Sequence, residues 1–139
     1  MQVKEAMHAG VECVEPDTPV STIAQKMRDL DIGAVPVCEK DRLVGMITDR
    51  DITCRAVVKG ADLSKLIAGN VMTKGIVYCR DTEDLQDAIH IMEDKQIRRL
   101  PVIDEEKRMV GMLSLGDVSH AASQALSGEV IKAVSDHHA

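Results

Sequence analysis

Aromatic side chains are nearly missing. Among 139 residues there is one tyrosine, Tyr78, and no phenylalanine or tryptophan. A ring platform for stacking bases is thereby excluded, and the core must be built from Val, Ile, Leu, Met and Ala. No apolar run reaches the ~18 residues of a membrane-crossing helix, so no membrane span is expected. The first residues, MQVKEAMHAG, are polar and include an acid, unlike a signal peptide. The expected location is the cytoplasm. Positive charge is not in excess either: 17 Lys and Arg face 23 Asp and Glu, a net charge of −6. A general nucleic-acid binder needs a basic face, and none is supplied.

Chemistry-bearing motifs are scarce as well. Cys13, Cys38, Cys54 and Cys79 form no CxxC pair, which speaks against a zinc or thioredoxin-like site and for small buried hydrophobes in a reducing compartment. His8, His90, His120, His137 and His138 show no ligand spacing, and the final DHHA reads as a mobile tail, so no metal is expected. There is no G-x-x-x-x-G-K phosphate loop and no nucleophile–base pair. The expectation is that the chain is not an enzyme.

What is present is a repeat. Displaced by 65 positions, Met7 falls on Met72, Met27 on Met92, Asp29 on Asp94, Ile32 on Ile97 and Pro36 on Pro101. One extra residue in DEEKR makes the displacement 66, and then Gly45 meets Gly111 and Asp51 meets Asp117. Self-similarity at this period marks one supersecondary unit written twice. Each copy reads β-α-β-β-α. Short strands VECV (11–14) and IVYC (76–79) precede amphipathic helices striped by Val20, Ile23, Ala24, Met27 and Leu30, and by Leu85, Ala88, Ile89 and Met92. Asp17 or Thr18, and Asp81 or Thr82, are the expected N-caps. AVPVC and LPVI then form hairpins with LVGMIT and MVGMLS across polar turns. A second helix closes each copy. The segment 59–71 joins them, with a short helix expected at Leu63–Ile67. The fold class is α+β: a first repeat at 1–60, a linker at 61–67, a second repeat at 68–127 and a C-terminal tail at 128–139. About 60 residues bury too little to stand alone, so the two repeats are expected to pack sheet to sheet with helices outside, in pseudo-twofold symmetry, leaving two clefts.

The chemistry concentrates at VGMITDRDI and VGMLSLGDV. Gly45 and Gly111 permit close approach of a backbone or ligand. Thr48 and Ser114 end the strand, and Asp51 and Asp117 follow three residues later in the first helical turn. A carboxylate accepts from both hydroxyls of a ribose diol, while the hydroxyl and the free N–H groups suit phosphate oxygens. The same residues also suit plain helix capping, and spacing alone leaves both readings open. Arg98 and Arg99 precede Pro101, where the first copy has Gly33 and Ala34; they fit phosphate, or cations at a helix end.

The stretches AMHAGVECVEPDTPVSTIAQKMRDLDIGAVPV…LVGMITDRDI and VMTKGIVYCRDTEDLQDAIHIMEDKQIRRLPVID…MVGMLSLGDV resemble a tandem pair of cystathionine β-synthase (CBS) domains, the Bateman module, over roughly residues 3 to 122. The resemblance implies a stand-alone prokaryotic regulatory module that needs no cofactor. It implies binding of an adenosine-type ligand (AMP, ATP or NAD foremost, ADP and S-adenosylmethionine also) and signalling to a regulated protein partner by conformational change. The hydroxyl and Asp would hold phosphate and ribose, with the purine against the strand carrying Pro36 or Pro101. Arg98 and Arg99 would favour the second site, and Arg50 would partly compensate at the first. A flat homodimer is implied, fitted to small apolar faces expected on Ile52, Ala56, Val57, Val118, Ala121 and Ala122. In such a sheet the strands ending in Cys13 and Cys38 are parallel neighbours, so a disulfide or redox-sensitive pair is open. The alternative is a structural or protein-interaction module that binds no nucleotide.

Overall fold

A computed structural model describes residues 1–136. The elements are α1 (Val3–Ala6), β1 (His8–Ala9), α2 (Val20–Leu30), β2 (Ala34–Glu39), β3 (Arg42–Thr48), α3 (Asp49–Asp51) running into a π-helical turn (Ile52–Val57), α4 (Ala68–Val71), β4 (Cys79–Arg80), α5 (Leu85–Lys95), β5 (Arg99–Ile103), β6 (Met109–Ser114), α6 (Leu115–Ala121) and α7 (Gln124–Ser135). The mixture of helices and antiparallel hairpins is the expected α+β class.

Both hairpins follow from their turns. Lys40 and Asp41 both take positive φ (50° and 67°) and join β2 to β3 across a two-residue turn, a backbone twist that matches right-handed strands. The β5–β6 turn is longer. There Asp104 accepts from the N–H groups of Glu106 and Arg108 and pairs with the Arg108 side chain at 2.9 Å. That closed loop absorbs the extra residue of the second copy. Helices α2 and α5 end alike, on Asp31 and Gln96 in the left-handed region (φ 54° and 53°). Their starts fall later than expected. Pro19 is the N-cap of α2 and makes no side-chain cap, and Asp84, not Asp81 or Thr82, caps α5 by accepting from the Gln86 N–H at 3.2 Å. The helix expected at Leu63–Ile67 lies instead at Ala68–Val71; residues before it form a turn closed by Asp62 and Ser64.

The chain divides into two compact units that cut across the sequential repeats. One, the Thr48 unit, is Glu12–Ile76. The other, the Ser114 unit, joins Met1–Val11 to the chain from Val77 onward. The boundaries expected at 60 and 68 are therefore not boundaries of packing: each copy's opening segment joins the strands of the other copy. In the Ser114 unit the sheet order is β1-β6-β5-β4, with β4 parallel to β5 and the rest antiparallel. The Thr48 unit repeats this order in miniature. Thr73 bridges Met46 on β3, β3 pairs β2, and Val14 bridges Val37 in parallel. The expected first strand 11–14 is reduced to that one bridge. Each unit has its own apolar core. Val20, Ile23, Val35, Val37, Ile47 and Val71 anchor one; Ile89, Met92, Leu100, Val102, Leu113 and Val118 anchor the other.

Two further expectations are corrected. Residues 128–135 are not tail but the body of α7, whose Val130 and Val134 are buried in the core of the Ser114 unit. Asp136 caps that helix, and His137 and His138 lie outside the described residues. Nor do the second helices present an outward apolar face. Ile52, Ala56 and Val118 are buried in their own cores, and Ala121 and Ala122 pack against one; Val57 alone of the set is exposed. The helix breaks at Ala122 and α7 folds back over α6, which is why those residues are covered.

Candidate functional site

The repeated motif builds the same device in each unit. Thr48 ends β3 with extended backbone, and its Oγ1 accepts from the Asp51 N–H at 3.1 Å while Asp51 Oδ2 accepts from the Thr48 N–H at 2.9 Å. Ser114 and Asp117 repeat it at 3.2 and 2.8 Å. These are reciprocal capping boxes, each satisfying two orphan donors of a helix start. The capping reading and the ligand reading thus use different atoms. The box consumes Oδ2 of each carboxylate, and Oδ1 remains.

The glycines explain how a second segment reaches this place. A Cβ built on Gly111 would meet the His8 carbonyl oxygen at 2.6 Å and Met7 Sδ at 2.6 Å. One on Gly45 would meet Met72 Sδ at 2.5 Å and the Thr73 carbonyl oxygen at 3.1 Å. The close approach read from sequence is made by backbone: β1 against β6 in one unit, the strand residue Thr73 against β3 in the other. One of these segments brings a side chain, His8, to the remaining carboxylate oxygen.

In the Ser114 unit His8 Nδ1 lies 2.6 Å from Asp117 Oδ1. The Ser114 hydroxyl also donates to Asp117 Oδ2 at 3.0 Å. The Asp117 side chain is 7% exposed, while that of His8 is 71% exposed. In the Thr48 unit the residue aligned with His8 is Thr73. Its hydroxyl accepts from Arg55 Nη1 at 3.1 Å, and the same nitrogen donates to the Val71 carbonyl at 3.0 Å. Arg55 Nη2 stands 3.9 Å from Asp51 Oδ1, too far for a hydrogen bond. A side-chain nitrogen accompanies each carboxylate, within hydrogen-bond distance in one unit and 3.9 Å away in the other. Arg55 reaches this position from the π-helical turn that follows Asp51; such turns often mark functional positions. The faint signals for both residues were the alignment of His8 on Thr73 and the i,i+4 spacing of Asp51 and Arg55.

The other expected residues are less gathered. Pro36 lies in register with Met46, and Pro101 with Met112, all within apolar strands, and both prolines are buried. Arg99 pairs in register with Ser114 but its side chain is exposed. Arg98 contributes its carbonyl oxygen to the Leu115 N–H at 3.1 Å, while its side chain is exposed. Arg50, beside Asp51, is exposed.

Cys13 and Cys38 flank the Val14–Val37 bridge inside the Thr48 unit. The Cys38 N–H donates to the Val14 carbonyl at 2.9 Å, and the two thiols influence each other. That influence lowers the Cys13 thiol and raises that of Cys38, which is buried as well. Both are free thiols in the structure. Cys79, buried in the other unit, is pushed up to about 12, chiefly by burial. Among the described residues no three His, Cys, Asp or Glu side chains converge to hold a metal ion, and no helix is long and apolar enough to cross a membrane.

Known proteins resemble the chain over most of its length. Hypoxic response protein 1 of Mycobacterium tuberculosis is 36% identical over 132 residues, 94% of this chain and 92% of that protein. The solved structure of Hypoxic Response Protein I, described with two coordinated zinc ions, has a TM-score of 0.81, 37% identity, and covers 88% of this chain and 100% of its own. CBS domain-containing protein YhcV of Bacillus subtilis is 37% identical over 117 residues, 84% of this chain and 82% of its own. The structure of CBSX2 in complex with AMP has a TM-score of 0.77 and 26% identity, over 89% of this chain and 97% of that one. The family model described as CBS domain matches residues 3–56 and again 68–124. With both copies of the repeat matched, the chain belongs to the CBS domain family as a tandem CBS pair.

Proposed function

We propose that this CBS pair is a non-catalytic sensor of an adenosine-containing nucleotide, read through the ribose by the carboxylates of Asp51 and Asp117. The observation that carries the reading is the division of labour within each capping box. Oδ2 is spent on the fold, and Asp51 Oδ1 has no hydrogen-bond partner among the described residues. A partly buried carboxylate oxygen of this kind suits two adjacent sugar hydroxyls, which are donors. The Thr48 hydroxyl accepts from the backbone and retains its own proton to give to a ligand. Arg55, 3.9 Å from Asp51 Oδ1, supplies the nearby positive charge. The AMP-bound structure of CBSX2 supports adenine nucleotide as the ligand class, at 26% identity. AMP, ATP and NAD share the adenosine part, and Arg98 and Arg99 would favour the more phosphorylated of them at the Ser114 unit.

Binding at such a site shifts the balance between conformations, and a regulated protein partner would read that shift. Self-association into a homodimer belongs to the same reading, with Val57 and Val58 as the exposed apolar residues at the end of the π-helical turn. Calorimetric titration with AMP, ATP and NAD, on the wild type and on Asp51→Asn and Asp117→Asn, tests the reading. Asn keeps the capping oxygen and removes the charge, so the fold should hold. Saturation at 100 times the dissociation constant should stabilise the wild type by about 2.7 kcal/mol. Unchanged affinity in the double variant, with an unchanged melting temperature, would overturn the ribose assignment.

A second reading rests on Cys13 and Cys38. Two thiols beside the parallel Val14–Val37 bridge, that of Cys13 lowered by Cys38, suit a redox-sensitive interaction module that needs no nucleotide. Hydrogen peroxide would take two electrons and two protons from the thiols, forming one disulfide and two waters. Thiol counting after peroxide, then after dithiothreitol, decides it: loss of two thiols and their return supports it, and four thiols throughout removes it.

A further inference from the structure

The two copies of the device differ at one atom. Asp117 Oδ1 is covered by the His8 imidazole at 2.6 Å, whereas Asp51 Oδ1 faces Arg55 at 3.9 Å. The cover on Asp117 comes from the segment that the unit borrows, which carries His8 there and Thr73 in the other unit; Arg55 comes from the turn that follows Asp51 itself.

The borrowed segment is firmly held. Val3 is fully buried, its N–H donates to the Glu83 carbonyl at 2.9 Å, and that of Lys4 donates to the Asp81 carbonyl at 3.0 Å. β1 then pairs antiparallel with β6, His8 opposite Met112, at the close approach that Gly111 allows. The backbone of His8 is thereby fixed over the carboxylate. Its side chain is not: at 71% exposed it can rotate into solvent without moving the strand. Asp117 is the reverse, buried and anchored through Oδ2 by the Ser114 N–H and hydroxyl. Opening the carboxylate therefore requires motion of one residue only.

From this geometry we infer that His8 is an internal competitor for the ribose seat of the Ser114 unit. The inference rests on the ribose reading above and adds an order of filling. The Thr48 unit, with Asp51 Oδ1 open, takes the nucleoside directly. The Ser114 unit takes it only when the His8 side chain is displaced. This reverses the ranking implied by Arg98 and Arg99, which lie on the surface while His8 stands at the seat itself. His8 is a specificity-determining residue: it does not hold the ligand but sets what the ligand must displace.

The experiment isolates the Ser114 unit by Asp51→Asn and compares AMP titrations of D51N and H8A/D51N. A hydrogen bond is worth about 1 kcal/mol net, so its loss in H8A should tighten the remaining site by about five-fold. The same loss should lower the melting temperature of the free protein by no more than about 4 °C, so the fold holds. Labelled-imidazole NMR supplies a second readout: AMP added to D51N should move the His8 resonances and leave those of His90 in place. If D51N binds AMP with the same affinity as H8A/D51N, and the His8 resonances do not move, competition is refuted while the ribose reading stands. If wild type, H8A and the double variant all fail to bind AMP, ATP or NAD, the ribose reading falls and the inference with it.

Discussion

Gly45 and Gly111 occupy the same place in the two copies, yet adding one methyl group should not cost the same. At Gly111 the new Cβ would sit 2.6 Å from the His8 carbonyl oxygen, which is backbone in a paired strand and cannot turn away. β1 must retreat from β6, weakening the pairing of His8 with Met112 and Ala9 with Gly111. At Gly45 the nearest atom is the sulfur of Met72, the end of a flexible side chain, and the backbone oxygen of Thr73 is 3.1 Å away. Met72 can swing, and Thr73 need yield only a few tenths of an ångström. Overpacking of a fixed neighbour costs about 1–3 kcal/mol. Gly111→Ala should therefore destabilise by about 2 kcal/mol and Gly45→Ala by about 1 kcal/mol or less. For a chain of this size that is a melting-temperature loss of about 8 °C against about 4 °C. Urea denaturation followed by circular dichroism measures both. Equal losses, or a larger one at Gly45, would refute the claim that backbone rather than side chain sets the cost.

Other outcomes follow from the same coordinates. Leu113→Ala, fully buried on β6, should cost about 2–5 kcal/mol in the same urea assay, as a core cavity does. Ser114→Ala removes the acceptor of the Asp117 N–H and should cost about 1 kcal/mol, whereas Ser114→Thr should restore most of it; thermal melts compare them. Cys79 has a folded pKa raised from about 9 to about 12, so its contribution is complete below pH 9 and lost as pH rises towards 12. Wild-type stability should fall relative to Cys79→Ala over that window, by at most about 1.4 kcal/mol per pH unit; parallel curves would exclude it. Iodoacetamide at pH 8 should label half-buried Cys13, whose thiol is lowered by Cys38, and spare Cys38 and Cys79; peptide mass spectrometry gives the order.

What could be read in the sequence was whatever carries a period or a spacing. The stripes of α2 and α5 place Ile23, Met27, Ile89 and Met92 in the cores as expected, because a buried helix face must repeat every three to four residues. The hairpins and the pairs Thr48/Asp51 and Ser114/Asp117 were legible for the same reason. The exchange of opening segments was not. A two-residue strand such as His8–Ala9 has no alternation to detect, and its partner lies about a hundred positions away. His8 and Arg55 went unnoticed as consequences, one delivered by that exchange and the other by a π-helical turn. The apolar residues of the second helices are legible, but their direction is not, since it is set by α7 folding back over α6.

The borrowed opening segment also imposes a schedule on synthesis. The Thr48 unit is one continuous stretch and can close as soon as residue 76 is free of the ribosome. The Ser114 unit cannot: His8 and Ala9 must wait for their strand partners Met112 and Gly111. At about 5–20 residues per second β1 stays unpaired for roughly 5 to 20 seconds. Closing so long a loop costs little more than closing one half its length, about 0.6 kcal/mol. The delay is therefore one of time rather than of energy. During it, the residue that covers Asp117 waits for a carboxylate made long after it.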